Sequence, residues 1–469
     1  MEQSTADAVR AAWAALDGDP VSAEAVELRG PAGTLPARLP VTELAVACVA
    51  AAALAATELA RTRGQHPPGP LTVDSRAVAV AFTSERHLRV DGRPFTGFAP
   101  LSRFWPAADG WVRTHANYPH HRRRLLSALG FDPARTDDDA LVDAVAEGIH
   151  GMPAAAVEEQ VQAAGGLAVA SRTPAGWDAH PQAVAVAAEP LARLAAAGAA
   201  APRRLPPAPD GLPAAGIRVL DLTRVIAGPV ATRFLALLGA DVLRVDPPGL
   251  PEIPAQHLDT GSGKRSTLLD LGRPADRARF DGLLADADVL VTGYRPAALD
   301  RFGLSPAALR HRRPDLVVAR LSAWGTAGPW ANRRGFDSLV QAATGIAEVE
   351  RRADGAPGVL PAQALDHGTG YLLAAAVLRA LALRDRQGGV WSADLSLART
   401  ARWLRRDLAV GSTPQGSTPD PAGWCDERDA PAGRLRYALP PVTPPGGPRT
   451  WAAPPGPWGA DPPAWLPAP

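Results

Sequence analysis

One carboxylate stands at the start of a long stretch rich in alanine and leucine. Asp366 lies in ALDHGTGYLLAAAV, where an aspartate commonly caps a helix by accepting hydrogen bonds from its first amides. The same place favours the ionised carboxylate, because the helix dipole stabilises an anion there, and an ionised carboxylate is a nucleophile at neutral pH. Gly368 and Gly370 would let a substrate come close to the backbone. The local sequence therefore does not decide whether Asp366 is a helix cap or a nucleophile.

A second candidate for a functional site is TGSGKRST at 260–267, which resembles a phosphate-binding loop. That motif needs a glycine at 258 and a serine or threonine after the lysine, but Leu258 and Arg265 stand there. No GxGxxG sequence follows a predicted strand, so the dinucleotide fingerprint is missing as well. Both nucleotide motifs are therefore excluded.

The run HANYPHHRRRLL at 115–126 gathers histidines and arginines. His120 and His121 are adjacent, so on a helix they point apart, and no cysteine or paired acid completes a metal site. We predict a solvated helix face and no metal. A basic patch for nucleic acid, through Arg122–Arg124, is the alternative, with few aromatic residues to stack bases.

Composition bounds the class of protein. The chain has 469 residues, and its 49 basic and 48 acidic side chains leave a formal charge of +1, so nothing in the overall charge favours nucleic acid or an anionic membrane. Its longest apolar run, 44–56, is shorter than a membrane helix needs. Two cysteines and a start without a secretory signal predict a cytoplasmic protein. Lys264 is the single lysine, so an isolated arginine says little about anion binding.

Strands and helices alternate after residue 216. The predicted strands are 217–223, 241–246, 288–292 and 316–321, and the helices between them include 230–238 and 275–285. This alternation predicts an α/β fold with a doubly wound parallel sheet covered on both faces. Residues 100–190 instead predict a small α+β domain, with a strand near DGWV and three helices.

The sequence of residues 216–400 distinguishes between the two interpretations of Asp366, as a helix cap and as a nucleophile. GIRVLDLTRVIAGPVATRFLALLGADVLRVDPPG, GSGKRSTLLDL, DADVLVTGYRPAALDRFGLSPAAL, RRGFDSLVQAATG and ALDHGTGYLLAAAVLRALALRDRQGG follow one another. In this order they closely resemble the family III CoA-transferases, which include the α-methylacyl-CoA racemases. The resemblance covers about 185 residues and implies a Rossmann-like doubly wound large domain.

The resemblance makes Asp366 the nucleophile of an acyl-CoA:carboxylate CoA-transferase. It implies a mixed aspartyl–acyl anhydride, then an aspartyl thioester, with acyl-CoA and a carboxylic acid as substrates and coenzyme A as the group carried. No permanently bound cofactor or metal is expected. By the same resemblance, CoA is held by residues of several loops, namely Arg224, Val225, Ala227, Leu269, Tyr294, Arg301 and Arg334.

Departures from the family pattern keep other functions open. Gly293 replaces a frequent asparagine, Ile226 a glutamine found in some transferases and Gly272 a basic residue, so we expect weaker binding of CoA or a different donor. The racemases carry a histidine where Phe336 stands, and a phenyl ring transfers no proton, which favours the transferase. A racemase or epimerase, and a catalytically idle homologue that binds CoA esters, are the alternatives.

The order of the segments is unusual for this family. Sequence motifs that the family carries in its small domain occur here at 109–182, upstream of the large domain. This order indicates a duplicated or permuted chain. Five segments follow: 1–100, resembling a second copy of 366–397; 101–199, a small α+β domain; 200–215, a Pro-rich linker; 216–410, the Rossmann-like CoA-transferase domain; and 411–469, a Pro/Trp-rich closing segment or tail. Thr42 takes the place of the nucleophile in the copy, so Thr42→Ala should leave turnover intact. Members of the family form interlocked dimers, so a homodimer is expected.

Overall fold

A computed structural model describes residues 3–467 except 96, 137, 197, 210 and 409–415. Its largest sheet has seven strands, which lie side by side in the order Arg265–Leu268, Asp241–Asp246, Arg218–Leu222, Val289–Thr292, Val317–Ser322, Trp391–Ser396 and Arg193–Ala196. The first six run parallel, and the last pairs antiparallel at the edge. Numbered along the chain, the parallel strands have the order 3-2-1-4-5-6 of a doubly wound sheet. The predicted α/β fold is confirmed.

Helices cover both faces of this sheet, which is why its strands are short apolar runs. We call the sheet and these helices the large lobe. The helices are Ala227–Leu237, Pro254–Thr260, Pro274–Asp286, Pro306–Arg312, Asp337–Ala343, Ile346–Val349, Ala364–Gln387 and Leu397–Arg402, with a 3-10 turn at Asp300–Phe302 and a π-helix at Trp403–Asp407. The four predicted strands agree with the structure to within one residue at each end. The first helix begins three residues before the predicted 230, because Pro229 fits in its first turn.

Two alanine-rich helices pack together at the centre of the protein. The central helix, Ala364–Gln387, lies against the companion helix, Val41–Thr62, and both are almost wholly buried. The residues before them, Gln363 and Pro40, share the same backbone angles, φ −74° and ψ 62°. Aligned on these caps, Glu43 rather than Thr42 stands opposite Asp366.

The companion helix belongs to an N-terminal segment of short elements. These are the helices Gln3–Ala14, Pro20–Glu24, Ser75–Phe82 and Ser84–His87 and the strands Glu27–Arg29, Thr72–Asp74, Arg89–Val90 and Arg93–Pro94. The companion helix is long and apolar enough to cross a membrane, but 89% of its most apolar window is buried inside the protein. Its hydrophobicity is therefore explained by packing in the core.

Residues 101–170 form a separate lobe with its own core, which we call the small lobe. It contains the strands Phe104–Ala107, Gly110–Thr114 and Ala168–Ala170 and the helices Pro119–Ala128, Asp139–His150 and Ala154–Ala163. The next two helices, Pro174–Asp178 and Pro181–Ala187, bury Trp177, Ala183 and Val186 in the main core of the protein. Strand Arg193–Ala196, which the predicted boundaries place in the small domain, instead completes the large sheet beside Trp391–Ser396.

The closing segment lies along the large lobe. Strands Cys425–Ala430 and Gly433–Ala438 form a hairpin, whose second strand pairs with Arg89–Val90. Three tryptophan indoles then each donate a hydrogen bond to the large lobe: Trp451 to the Arg233 carbonyl, Trp458 to the Asp246 carboxylate and Trp465 to the Leu283 carbonyl, at 2.8, 2.9 and 3.1 Å. The described residues of the closing segment are thus docked on the large lobe.

Candidate active site

A cleft of about 780 Å³ opens where the carboxyl ends of strands Arg218–Leu222 and Val289–Thr292 meet. The strand order reverses at this pair, and ligands of doubly wound proteins bind at such switch points. Every residue that the sequence singled out as a site lines the cleft, namely Asp366, Arg224, Val225, Ala227, Leu269, Tyr294, Arg301 and Arg334. The fold thus brings them together, while their individual roles stay predictions.

Asp366 lies in the cleft wall without being the helix cap. Gln363 holds the cap position, and Asp366 is the third residue of the central helix. The amides of Leu365 and Asp366 are instead capped from outside, because both donate to the carboxylate of Asp337 at 2.9 Å. Sequence reasoning missed this role of Asp337, although it lies in the RRGFD segment that helped to reveal the family.

Asp366 and Asp337 are two buried carboxylates that disfavour each other's ionisation. Asp366 is 6% exposed, and burial, then the charges of Asp337 and Glu85, raise its pKa well above the usual range. Burial raises the pKa of Asp337 to about 6, although the amides it caps and Gln341 oppose the shift. Burial and the neighbouring carboxylates thus oppose the ionisation of Asp366, which the position near the helix N-terminus was expected to favour.

The N-terminal segment closes the back of this site. The ring of His367 stacks on Phe82 with a centroid distance of 5.2 Å, and its Nε2 lies 3.8 Å from Glu85. Burial opposes the ionisation of Glu85, yet the neighbouring imidazole of His367 lowers its pKa below the usual value. Glu85 thus stays charged and contributes to the raised pKa of Asp366 from the other half of the chain.

The two glycines after Asp366 serve helix packing, so the expected opening for substrate is wrong. A Cβ atom on Gly368 would lie 3.2 Å from Leu44 and 3.4 Å from Cys48 of the companion helix. A Cβ atom on Gly370 would lie 2.5 Å from the carbonyl oxygen of Ala227. Both positions are glycine because neighbouring helices come close to the backbone there.

The histidine run is not the solvated face that its sequence predicts. His121 is 4% exposed and lines the cleft together with His120. The ring of His115 stacks on Phe336 at 3.8 Å, and His121 meets the same ring edge-on at 5.8 Å. The run therefore docks the small lobe against the segment that leads to Asp337.

These histidines are uncharged at neutral pH. Burial, followed by neighbouring histidine and arginine side chains, lowers the pKa of His121 to about 2, of His115 to about 3 and of His120 to about 4. A neutral imidazole offers one N–H donor and one acceptor, so this wall presents polar groups without charge.

Arginines of both lobes line the rest of the cleft. Arg124 comes from the small lobe, Arg295 and Arg334 from the large one, and sequence reasoning had named only Arg334. Burial, then repulsion by Arg295 and Arg124, lowers the pKa of Arg334 below the usual arginine value. Three cations close enough to repel each other fit an anionic ligand, and arginine forks suit phosphate oxygens.

Fold and site together define an α/β protein with a ligand cleft at the switch point of a doubly wound sheet. The sequence model of CoA-transferase family III matches residues 214–437 of this chain. The match spans the strands and loops that carry all eight predicted site residues.

Curated relatives agree with the family assignment. "Probable fatty acyl-CoA transferase" of Mycobacterium tuberculosis is 36% identical over 44% of this chain and 54% of its own length. "Acetyl-coenzyme A transferase" of Hypoxylon pulicicidum is 36% identical over 49% of this chain and 39% of its own length. "Formyl-CoA:oxalate CoA-transferase" of Rhodopseudomonas palustris is 34% identical over 37% of this chain and 43% of its own length. The chain thus spans about half the length of the curated relatives it matches.

A crystal structure of the mycobacterial protein aligns with 41% of this chain and 55% of its own, at 36% identity and a TM-score of 0.39. A crystal structure of a CAIB/BAIF family protein from Brucella suis aligns with 48% of this chain and 65% of its own, at 25% identity and a TM-score of 0.39.

Proposed function

We propose that this protein is a CoA-transferase that moves CoA from an acyl-CoA donor to a carboxylic acid acceptor. The observation that carries the proposal is the place of Asp366, a buried carboxyl that still lines the cleft at the switch point of the sheet. A buried carboxylate beside a ligand cleft is shielded from water, which would otherwise hydrolyse an acyl intermediate.

The proposed reaction balances without an external energy source. The Asp366 carboxylate attacks the donor thioester, the C–S bond breaks, and CoA thiolate leaves a mixed aspartyl–acyl anhydride. The thiolate attacks the aspartyl carbonyl, which releases the donor acid and leaves an aspartyl–CoA thioester. The acceptor carboxylate then attacks the aspartyl thioester, whose C–S bond breaks to release CoA thiolate and leave a second mixed anhydride. The thiolate attacks the acceptor acyl carbonyl of this anhydride, which gives the new acyl-CoA and releases the Asp366 carboxylate.

Anionic parts of the CoA ester require cations, and the cleft supplies them. Arg224, Arg301 and Arg334 are the predicted contacts, and Arg124 and Arg295 join them in the structure. Among the described residues Arg334 has no carboxylate within ion-pair distance, whereas Arg224 lies 3.5 Å from Glu252. We propose that the unpaired arginines contact CoA phosphates.

Hydroxylamine trapping tests the covalent step. The protein is incubated with acetyl-CoA and longer acyl-CoA esters in the presence of hydroxylamine, and its peptides are examined by mass spectrometry. Attack on the aspartyl carbonyl should leave a hydroxamate at Asp366, and Asp366→Asn protein should show none. Unmodified Asp366 across the panel, with no CoA released, would instead indicate an idle homologue.

Replacing Asp337 by asparagine should move the pH dependence of acylation. The Asp337 charge raises the pKa of Asp366, so its removal lowers that pKa, while the asparagine oxygen can still accept the helix amides. The acidic limb of the rate of hydroxamate formation should therefore shift to lower pH. The neighbouring variant Ser338→Ala changes no charge and should leave the limb in place. An unchanged or higher midpoint in Asp337→Asn would contradict the coupling.

The raised pKa of Asp366 also favours a second candidate, a racemase or epimerase. Such an enzyme needs a protonated acid on one side of the α-carbon and a base on the other. Asp366 fits the acid, and the base would have to come from the histidines around Phe336 rather than from that residue. Exchange of the α-hydrogen of an acyl-CoA in deuterium oxide, without CoA transfer, would identify this activity.

We further propose a homodimer, on the family resemblance, and a cytoplasmic location, on the low cysteine content. One chain already lines the cleft from both lobes, since Tyr118, His121 and Arg124 line it together with Asp366 and Phe336. A partner is therefore not needed to supply these residues.

A further inference from the structure

One buried carboxylate outside the cleft touches both of its walls. Glu252 follows strand Asp241–Asp246, and its side chain is 0% exposed. It accepts hydrogen bonds from the amides of Val225 and Ile253, at 3.1 and 2.9 Å, and from the guanidinium of Arg244, at 2.7 Å. The hydroxyl of Tyr118, in the small lobe, donates to it by a short hydrogen bond. Glu252 is thus one point at which the two lobes meet.

On the large-lobe side, Glu252 holds a strained loop. Val225 has φ +71°, a left-handed conformation that β-branched residues rarely adopt. Such strain persists only where the surroundings hold it, and the Val225 amide is directed to Glu252. Val225 and its neighbour Arg224 both line the cleft.

On the small-lobe side, Glu252 fixes an aromatic–cation pair. The Arg224 guanidinium lies 5.0 Å from the centroid of the Tyr118 ring and donates to the Pro251 carbonyl at 2.8 Å. Because Glu252 contacts both Arg224 and Tyr118, it sets the distance between the cation and the ring. The other guanidinium donors are left for a ligand.

We propose that Glu252 is a positioning residue, which holds the Arg224–Val225 loop and Tyr118 in the arrangement that binds the anionic part of a CoA ester. This inference rests on the proposed function, because it takes CoA as the ligand. Glu252 itself does not line the cleft, so it acts through the residues that it holds.

CoA affinity of Glu252→Gln, measured by calorimetry, tests the inference. All groups around Glu252 are donors, so the amide nitrogen of glutamine must face one of them and release it. CoA should bind at least about tenfold more weakly. Asp288→Asn is the control: Asp288 also accepts a backbone amide, at 3.0 Å, and pairs with two arginines, but lies outside the cleft lining. It should lower the melting temperature and leave CoA affinity unchanged.

A second pair of variants keeps the test decisive if Glu252→Gln does not fold. Glycine adopts the left-handed conformation freely, whereas proline fixes φ near −65° and has no amide hydrogen for Glu252. Val225→Pro should bind CoA at least about tenfold more weakly than Val225→Gly.

Three outcomes are distinct. Equal CoA affinity in the two Val225 variants, or wild-type affinity in folded Glu252→Gln, would overturn the role of Glu252 alone. Failure of the wild-type protein to bind CoA would overturn the proposed function, and this inference with it. Weakened binding confined to Glu252→Gln and Val225→Pro supports both.

Discussion

Asp366→Asn protein should lose CoA transfer and melt at a higher temperature than the wild-type protein. The amide cannot form the anhydride, so turnover should fall at least about a thousandfold. The gain in stability follows from burial beside Asp337 and Glu85, which raise the pKa of Asp366. An uncharged isostere removes that penalty, and we expect a gain of about 0.5–2 kcal/mol in the free energy of unfolding.

The pH dependence of that gain has a definite sign. A carboxyl whose pKa is higher in the folded than in the unfolded protein makes the fold less stable as pH rises between the two values. The gain of Asp366→Asn should therefore be largest at neutral to alkaline pH and vanish near pH about 4, the unfolded pKa of aspartate. Melting curves across this range measure it.

Asp288→Asn provides the matched contrast. The Asp288 carboxylate is paired, with Arg203 at 2.9 Å and Arg384 at 3.3 Å, so its neutralisation should lower the melting temperature. A fully active Asp366→Asn protein would contradict the covalent role. A lower melting temperature for that variant at neutral pH would contradict the account of its buried charge.

The large lobe was predictable because its signals are local. Each strand is a short apolar run bounded by glycine, proline or aspartate, and parallel strands place their following loops at one edge of the sheet. Arg224, which follows the first strand, and Tyr294, which follows the fourth, must therefore approach each other whatever the side-chain packing. The family motifs added Asp366, whose local sequence is equally typical of a helix cap.

The small-lobe wall of the cleft was not predictable, because it depends on docking between distant segments. Tyr118 and Glu252 are separated by 134 residues, and neither has a local signal for the contact. The run around His121 has the polarity of a surface helix, so only the docked lobe explains its burial. Gly368 failed as a signal for the same reason, since the companion helix that it contacts lies more than 300 residues away in the chain.

Lys264→Met should unfold the large lobe at a markedly lower temperature. The Lys264 ammonium, in the segment that resembles a phosphate loop, is buried and lies 3.1 Å from Asp221 and 3.0 Å from the hydroxyl of Thr232. Burial lowers its pKa to about 8, so it is still mostly charged at pH 7. Its removal leaves the Asp221 carboxylate buried without a counter-ion, which costs about 3–5 kcal/mol.

A double-mutant cycle separates this charge effect from the loss of a packed side chain. Asp221→Asn removes the carboxylate charge while its amide oxygen can still accept from the Thr223 amide, now at 2.9 Å. The double variant Lys264→Met/Asp221→Asn should therefore regain most of the stability lost in Lys264→Met, as expected for a pair whose members are costly only when separated. Thr223 leads directly into Arg224 and Val225, so CoA affinity should fall and recover in parallel with the melting temperature. Additive losses in the double variant would show that Lys264 stabilises the lobe by packing and not by neutralising Asp221.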